Sequence, residues 1–407
     1  MLLNYHLASA FLLYLSAGVS GDSVLPNIIT TFAPLSSGQI TITMTFDALG
    51  NVYHTNSYSI KRIDAITGTT TTVAGTTDLT SGSTADNIGA LDAYLLGGPI
   101  GVAVDAQGNI YFSEYNSNRV RKVDATTKIL TTLAGQDGVQ GYSGDDGQGS
   151  LALLSRPVGL ALDNFGNLYV ADSMNSCIRK LNVNTGVITT VAGNGVASYY
   201  GDNVPATSAL LNEPFAIALD EAGSLFIADT NNHCIRRITA DIITTVAGSC
   251  GTLGVFEDGS SAATSLLYYP FGVATSTSGN IYIINFPRIL VVDVITNQVT
   301  VFAGSGSFDF NGDGIPALTA GMDPTHVILD KAGKVYLSDT RNDRIRLVTI
   351  QPPPSSAPPS PEPSTPPSPE PSKSPVSCRS KKPTRVPTTA PTKRTKRPTK
   401  RPIKCST

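Results

Sequence analysis

Short apolar runs separated by polar turn clusters recur along most of the chain. Between residues 157 and 193 there are four such runs, GLALD, NLYVAD, CIRKLNV and VITTVAG, which are rich in β-branched and aromatic residues. Clusters of Asn, Gly, Ser and Thr separate them, so the pattern predicts a four-stranded antiparallel meander. The first two runs are apolar nearly throughout, which indicates strands covered on both faces. The last two alternate more and should lie nearer the outside.

This unit occurs six times. The glycine of a recurring turn marks each copy, and successive glycines lie 58, 58, 57, 56 and 54 residues apart, at Gly50, Gly108, Gly166, Gly223, Gly279 and Gly333. A fixed period of this size indicates a repeat architecture in which neighbouring units bury each other. A chain of 407 residues is therefore expected to hold one repeating domain plus its termini.

The six units have only five closing runs after them in the sequence. These lie at 69–75, 129–135, 187–193, 242–248 and 298–304. The sixth ending lies at the other end of the chain, where Ile29–Ala33 reads ITTFA. We expect this N-terminal segment to supply the outer strand of the last unit. Such an exchange closes a ring and leaves no open edge between the first and last units.

Two segments carry a resemblance to a known family: GVAVDAQGNIYFSEYNSNRVRKVD at 101–124 and FIADTNNHCIRRI at 226–238. They resemble NHL repeats, whose known folds are β-propellers. The resemblance implies an all-β, six-bladed propeller over residues 28–350, but it does not specify a function. Its expected parts are a closing strand at 28–34 and blades at about 40–75, 100–135, 158–193, 215–248, 271–304 and 325–350.

Both ends of the chain differ in composition from the repeats. Residues 1–21 contain a short apolar run, Leu7 to Val19, followed by small residues, which predicts a secretory signal cleaved near Gly21. No Lys or Arg precedes the run, so an uncleaved signal anchor or a misread start is the alternative. Residues 351–372 are rich in Pro and Ser and predict an extended linker. Residues 373–407 are basic and are expected to be disordered until an anionic partner binds.

The basic tail has the clearest electrostatic signal. Twelve Lys and Arg lie between Lys373 and Lys404 without an acid, whereas residues 1–372 carry a formal charge of −14. We expect the tail to bind acidic polysaccharide, anionic matrix or a mineral surface. Nucleic acid is not expected, because a secretory signal is predicted and no aromatic residue follows Tyr336. The proposed polyanion-binding residues are Lys381, Lys382, Arg385, Lys393, Arg394, Lys396, Arg397, Lys400, Arg401 and Lys404.

The five cysteines suggest at most one disulfide. Cys177 and Cys234 occupy the same position in successive repeats, too far apart to bond each other, and are expected to be small buried residues. Cys378 and Cys405 could pair in an oxidising compartment. Cys250, in a connector, would then remain unpaired.

Long connectors between blades are the expected place for binding. They emerge on one face and carry GDDGQGSLALL, GDNVPATSALL, EDGSSAATSLL and NGDGIPALTAGM. The candidate ligand-binding residues are Asp145, Asp202 and Asp258 in these loops, together with His326 near the channel mouth. The recurring pattern also favours a structural alternative, a turn and a short helix that fill the gap between blades.

One connector resembles the start of a calcium-binding loop. Asp309, Asn311 and Asp313 match the D-x-N-x-D-G pattern of an EF-hand, but position twelve is Ala320 instead of the bidentate Glu. Calcium is therefore a secondary hypothesis, and no other cofactor is expected.

A second recurring set consists of an acid or amide at the end of the second strand and, in all but one copy, a base on the third strand, five residues later in the first copy, Asn56 with Lys61, and seven residues later in four others. Asp172 with Arg179 is an example, while the fifth copy has Asn285 and lacks the Arg, with Leu290 there. Because acid and base vary together, we expect one structural ion pair per blade in preference to a ring of metal ligands.

An enzyme is the alternative function. Resemblance to the peptidylglycine amidating lyase implies zinc histidines after the proline that opens an innermost strand. This chain has residues there that cannot bind zinc: Ile100, Val158, Phe215, Phe271 and Thr325. A lactonase-like or lyase-like propeller would need a metal in the central channel, and His54, His233 and His326 are not expected to converge on one.

These observations predict a secreted, monomeric propeller that acts as a binding or scaffold module. Its loop face would bind protein or carbohydrate, and its basic tail would hold it to an acidic extracellular matrix or cell wall. After signal cleavage no membrane span is expected.

Overall fold

The computed structural model describes residues 26–35, 41–76, 84–95 and 97–350. The predicted signal at 1–21, the linker at 351–372 and the basic tail at 373–407 lie outside the described residues. The described part forms six antiparallel sheets. Innermost strands of successive sheets contact each other all the way round, including those of the first and the sixth. The prediction of an all-β, six-bladed propeller is confirmed.

The strands follow one another in a regular order. The chain begins with β1 (Ile28–Pro34). Blade 1 holds β2 (Met44–Phe46), β3 (Val52–Asn56), β4 (Ser59–Ile63) and β5 (Thr70–Ala74). Blade 2 holds β6 (Ile88–Gly89), β7 (Pro99–Val104), β8 (Ile110–Glu114), β9 (Arg119–Val123) and β10 (Ile129–Gly135). Blade 3 holds β11 (Gly147–Gln148), β12 (Pro157–Leu162), β13 (Asn167–Asp172), β14 (Cys177–Asn182) and β15 (Val187–Ala192).

The remaining blades repeat this order. Blade 4 holds β16 (Val204–Pro205), β17 (Pro214–Leu219), β18 (Leu225–Asp229), β19 (Cys234–Thr239) and β20 (Ile242–Ala247). Blade 5 holds β21 (Ser260–Ser261), β22 (Gly272–Thr275), β23 (Ile281–Asn285), β24 (Arg288–Asp293) and β25 (Gln298–Ala303). Blade 6 holds β26 (Ile315–Pro316), β27 (Pro324–Leu329), β28 (Val335–Asp339) and β29 (Arg344–Thr349), together with β1. Short 3-10 helices span Ala90–Asp92, Gly149–Leu151, Ser173–Asn175, Ala206–Ser208, Thr230–Asn232, Ala262–Thr264 and Ala317–Thr319.

Each described connector supplies a short strand and a 3-10 turn, as the structural alternative predicted. In the connector before blade 4, β16 pairs with β20, the outer strand of that blade. The following turn at Ala206 lies against blade 3, where its carbonyl accepts a hydrogen bond from the amide of Gly193 at 3.0 Å. Gly193 has φ 76°, and a Cβ there would lie 2.3 Å from the Ser176 carbonyl oxygen. The glycine that closes each repeat is thus required by the close approach of two backbones.

The core lies between neighbouring blades. The second strands β8, β18, β23 and β28 are buried along their whole length. Val170 and Leu181 of blade 3 pack in one cluster with Tyr111 and Val120 of blade 2. Burying a large apolar side chain contributes roughly 1.5–3 kcal/mol, so each blade depends on its neighbours for stability. The nearly continuous apolar pattern of the first two runs reflects this two-sided cover.

Ring closure occurs as predicted. Strand β1 pairs antiparallel with β29, with Ile29 opposite Val348 and Thr31 opposite Arg346. It also pairs with β26, where Ile29 faces Ile315. The two ends of the propeller are therefore joined by backbone hydrogen bonds in one sheet.

The expectation for two cysteines was wrong. Cys234 and Cys250 form a disulfide, with their Cα atoms 5.1 Å apart, so Cys250 is not unpaired. The antiparallel pairing of β19 with β20 places Ile235 opposite Ala247, which brings the loop just after Ala247 back over the start of β19. Cys177 at the equivalent position of blade 3 is buried and free, as expected. The disulfide ties blade 4 to the connector that leads to blade 5.

Candidate ligand-binding site

A buried arginine on the third strand of four blades joins two acids. In blade 3, Arg179 lies 3.4 Å from Asp172 at the end of β13 and 2.8 Å from Asp145 in the preceding connector. The Arg179 and Asp172 side chains are fully buried. We call such a set of strand acid, loop acid and arginine an arginine clamp. The other three clamps are Glu114, Asp86 and Arg121; Asp229, Asp202 and Arg236; and Asp339, Asp313 and Arg346.

The clamps confirm the predicted pairing of second and third strands. They also show that the loop acids Asp145 and Asp202 hold their connectors against a blade. Thr190 on the fourth strand donates a further hydrogen bond to Asp145 at 3.2 Å. Burial raises the pKa of Asp172 to about 6, although the Ser155 amide, Asn175 and Arg179 donate hydrogen bonds to it. Each clamp therefore holds buried charges, whose desolvation costs free energy, in a fixed network of ion pairs and hydrogen bonds.

An aromatic ring covers three of the four arginines. Tyr142 lies under the Arg179 guanidinium at 5.3 Å, and Tyr199 under Arg236 at the same distance. Phe310 lies 4.9 Å from Arg346. Each ring precedes its loop acid by three residues, a spacing visible in the sequence as an aromatic-x-Gly-Asp motif that we did not use.

Blade 5 lacks the clamp. Leu290 stands where the four blades with a clamp have Arg, and Val255 stands where three of them have the ring. Its loop acid, Asp258, instead accepts a hydrogen bond from the Val301 amide at 2.8 Å. The third predicted ligand-binding acid is therefore also engaged within the fold, through the backbone.

Two of the three residues of the calcium hypothesis, Asn311 and Asp313, have partners within the fold. Asn311 donates to the Thr319 carbonyl and accepts from the Gly321 amide, both at 2.8 Å. Asp313 lies 3.4 Å from Arg346. Calcium would have to compete with these partners for the same oxygens, so this donor set does not fit the ion well.

The three histidines outside the signal lie on β3, on β27 and in the turn before β19. His326 lines the central channel, and burial lowers its pKa to about 4. His54 is buried on β3, where its Nδ1 lies 3.1 Å from the Thr41 hydroxyl; burial lowers its pKa to about 4 as well. His233 lies in the turn before β19. Among the residues that the structure describes, no three His, Cys, Asp or Glu side chains lie together in a group that could hold a metal.

The central channel encloses a cavity of about 320 Å³ lined by the innermost strands of all six blades. Most of the side chains that line it are apolar, in segments such as Gly101–Val104 and Gly159–Leu162. His326, Thr43 and Thr45 are among its few polar side chains. Its side chains therefore offer few groups to orient a ligand.

A second cavity of about 310 Å³ lies at the channel mouth on the loop face, between blades 2 and 5. We call it the mouth pocket. Phe215 lines both cavities. The mouth pocket combines aromatic rings with charged and polar side chains, which is typical of ligand sites. Its lining residues are Tyr115, Arg156, Ser173, Met174, Glu213, Phe215, Thr230, Asn231, Tyr269 and Phe271.

Phe215 and Phe271 occupy two positions at which the lyase resemblance required zinc ligands. Their rings meet edge to face, with centroids 5.3 Å apart. The position that would hold zinc in the lyase is therefore part of an aromatic wall in this chain.

Comparison with known proteins supports the repeat assignment. The family pattern described as NHL repeat matches residues 154–181, which run through β12 and β13 into β14. NHL repeat-containing protein 2 of Bos taurus is 33% identical over 148 residues, covering 34% of this chain and 20% of that protein. The chain is an NHL-repeat β-propeller.

Two other proteins are similar to this NHL-repeat propeller. Protein SUPPRESSOR OF QUENCHING 1, chloroplastic, of Arabidopsis thaliana is 37% identical over 133 residues, covering 31% of this chain and 12% of that protein. The chain thus matches about a tenth to a fifth of the length of these curated relatives. The crystal structure of an auxiliary nutrient binding protein from Bacteroides thetaiotaomicron superposes with a TM-score of 0.55 at 16% identity, covering 79% of this chain and 76% of that one. That likeness shows the fold alone.

Sequence reasoning missed most of the residues that line the mouth pocket of this NHL-repeat propeller. Several directly precede the proline that opens an innermost strand, namely Arg156, Glu213 and Tyr269. The sequence contains a signal for these residues, because a large side chain stands at the position where blade 2 has Gly98. No helix among the described residues is long and apolar enough to cross a membrane.

Proposed function

We propose that this NHL-repeat propeller is a secreted binding module that presents its loop face to a protein or carbohydrate ligand. The mouth pocket carries the proposal, because it is a concave site of about 310 Å³ with four aromatic side chains and several polar ones. Rigid blades position every wall of it. The predicted ligand residues Asp145, Asp202 and Asp258 contribute to the shape of the loop face by fixing its connectors.

Secretion has two supports. The apolar run from Leu7 to Val19 has the length of a signal sequence, and the Cys234–Cys250 disulfide is of a kind that persists in oxidising compartments. Both agree with an extracellular location, at a cell wall or matrix.

Retention at an acidic surface is proposed for the tail. Its twelve positive charges within 32 residues would bind a polyanion with strong salt dependence, whereas the part before it is acidic. A protein ending at Gln351 tests this on an immobilised acidic polysaccharide such as alginate. We expect the full chain to be retained at low salt and released by rising salt, and the shortened protein to flow through. Equal retention of both would exclude anchoring by the tail.

A metal assay separates the binding module from the enzyme alternative. Purified full-length protein is expected to hold no stoichiometric transition metal in the channel. One equivalent of bound zinc or iron, lost on mutation of His326, would favour a propeller hydrolase or lyase instead.

A further inference from the structure

The mouth pocket carries two charged side chains of opposite sign, Arg156 and Glu213. The Arg156 guanidinium lies over the Tyr115 ring at 5.3 Å and 3.4 Å from its hydroxyl, so the cation is held against an aromatic face. With one positive and one negative group, the pocket has no net charge. A neutral ligand fits this balance better than a strong anion or cation, whose charge would be opposed by one of the two groups.

Two polar side chains of the pocket have no partner among the described residues. No hydrogen bond or ion pair joins the Glu213 carboxylate or the Asn231 side-chain amide to another described residue. Both residues are only partly exposed. Polar groups lining a cavity need water or a ligand as a partner. Glu213 offers acceptors only, and Asn231 offers both a donor and an acceptor.

Three residues of the pocket hold a backbone conformation that favours glycine. Arg156, Glu213 and Tyr269 have φ of 51°, 48° and 42°, and the equivalent residue of blade 2 is Gly98 with φ 63°. A non-glycine residue in this region costs about 1–3 kcal/mol and tends to persist at ligand sites. Three successive blades thus keep large side chains where glycine would suit the backbone.

The same three residues are fixed by the preceding blade. The amide of Arg156 donates to Asn118 at 2.9 Å, that of Glu213 to the Ser176 hydroxyl at 3.5 Å, and that of Tyr269 to His233 Nδ1 at 3.4 Å. The His233 ring packs on Tyr269, with centroids 4.5 Å apart, and the next residue is disulfide-bonded Cys234. The site is therefore held in place before any ligand arrives, which reduces the entropy lost on binding.

We propose that the mouth pocket binds the end of a neutral carbohydrate chain. This assignment rests on the proposed binding function and narrows it. The apolar face of a sugar ring would lie against the aromatic side chains, and its hydroxyl groups would donate to Glu213 and bond with Asn231 and Arg156. The pocket volume of about 310 Å³ is near the lower end of small-molecule sites, which suits one or two sugar rings.

The test is titration of the full chain with neutral oligosaccharides of the cello, laminari, manno and xylo series, followed by calorimetry. Neutral probes do not engage the basic tail. We expect at least one series to bind saturably, and Glu213→Gln and Asn231→Ala each to weaken binding about tenfold or more, because each loses a buried hydrogen bond to the sugar. Glu221→Gln and Asn184→Ala are matched controls in turns on the opposite face, and both should bind like the parent protein.

Two outcomes overturn the assignment. The first is that the titrations show no binding at the mouth pocket. Either no neutral oligosaccharide binds the full chain, or the oligosaccharide that binds does so equally to the parent, Glu213→Gln and Asn231→Ala proteins. The other is that a peptide copied from residues 352–372 binds the pocket in preference to every sugar. Either result leaves tail retention and the metal assay unchanged, so failure of the sugar assignment is distinguishable from failure of the proposed function. Unchanged melting temperatures of the variants exclude misfolding as the cause of lost binding.

Discussion

Arg179 Nη2 lies 2.8 Å from Asp145 Oδ1, which fixes an acid in the connector before blade 3 to the third strand of that blade. The same arginine lies 3.4 Å from buried Asp172 through Nη1. One side chain thus joins the loop face to the core. Asp145 and Asp202, two of the three loop acids that stood out in the sequence as ligand candidates, have this structural task.

Blade 5 shows which residues can replace the buried acid and arginine of a clamp, and this suggests a test. Arg179→Leu alone should lower the free energy of unfolding by about 3–5 kcal/mol, because it leaves Asp172 buried without its ion-pair partner. The double change Asp172→Asn with Arg179→Leu copies the Asn285 and Leu290 of blade 5 and should recover about half or more of that loss. Urea unfolding measures both. A double variant no more stable than the single one would contradict this account.

The channel histidine should make stability depend on pH. His326 has a pKa of about 4 in the folded protein and about 6.5 when unfolded, so its contribution is present above pH 6.5 and is lost as the pH falls through 4. His326→Gln should remove up to about 3 kcal/mol of the stability lost between those values. The raised pKa of Asp172 makes stability change with pH in the opposite direction over the same range. The parent protein and His326→Gln are therefore compared at each pH, since both contain Asp172. Burial lowers the pKa of His233 as well, but less, so His233→Gln should have a smaller effect, and an effect equal to that of His326→Gln would contradict this account.

Reduction of the Cys234–Cys250 disulfide should destabilise the protein. Cys234 and Cys250 are 16 residues apart, and opening a loop of that size costs about 3 kcal/mol. We expect dithiothreitol to lower the melting temperature of the parent protein and to leave Cys250→Ser unaffected. Cys177→Ser should still respond to the reductant. A melting temperature that is insensitive to dithiothreitol in the parent would exclude a stabilising disulfide.

The closing strand should be essential for the stability of the ring. Ile29 is fully buried on β1, whereas Ile66 is 95% exposed. Ile29→Ala is expected to cost about 2–5 kcal/mol, and Ile66→Ala less than about 0.5 kcal/mol. Chemical denaturation of both variants checks the difference. Similar losses would show that β1 does not hold blade 6 closed.

Calcium should not stabilise the connector before blade 6. Asn311 and Asp313 already bond Thr319, Gly321 and Arg346, and the oxygens of a twelfth-position Glu are missing at Ala320. We expect the melting temperature to be the same with calcium as with a chelator. An upward shift that Asp313→Asn abolishes would establish a calcium site after all.

The sequence by itself determined the number of blades, the four main strands of the repeating unit and the closure by Ile29–Ala33. These follow from local patterns that repeat, namely two-sided apolar runs, turn glycines and a displaced closing run, because a repeat buries its surface only against copies of itself. It also indicated the pairing of Asp172 with Arg179, since acid and base change together in blade 5.

Only the tertiary structure decided which side chains share a site. Tyr115, Arg156, Glu213 and Tyr269 come from four blades and are up to 154 positions apart in the chain, so no local spacing connects them. The Cys234–Cys250 pair likewise depends on the register of β19 and β20, which brings the loop after Ala247 back over Cys234. Repetition reveals what each blade does for its neighbours, whereas a ligand site at the mouth arises where the blades differ. Those differences come together only once the ring has closed.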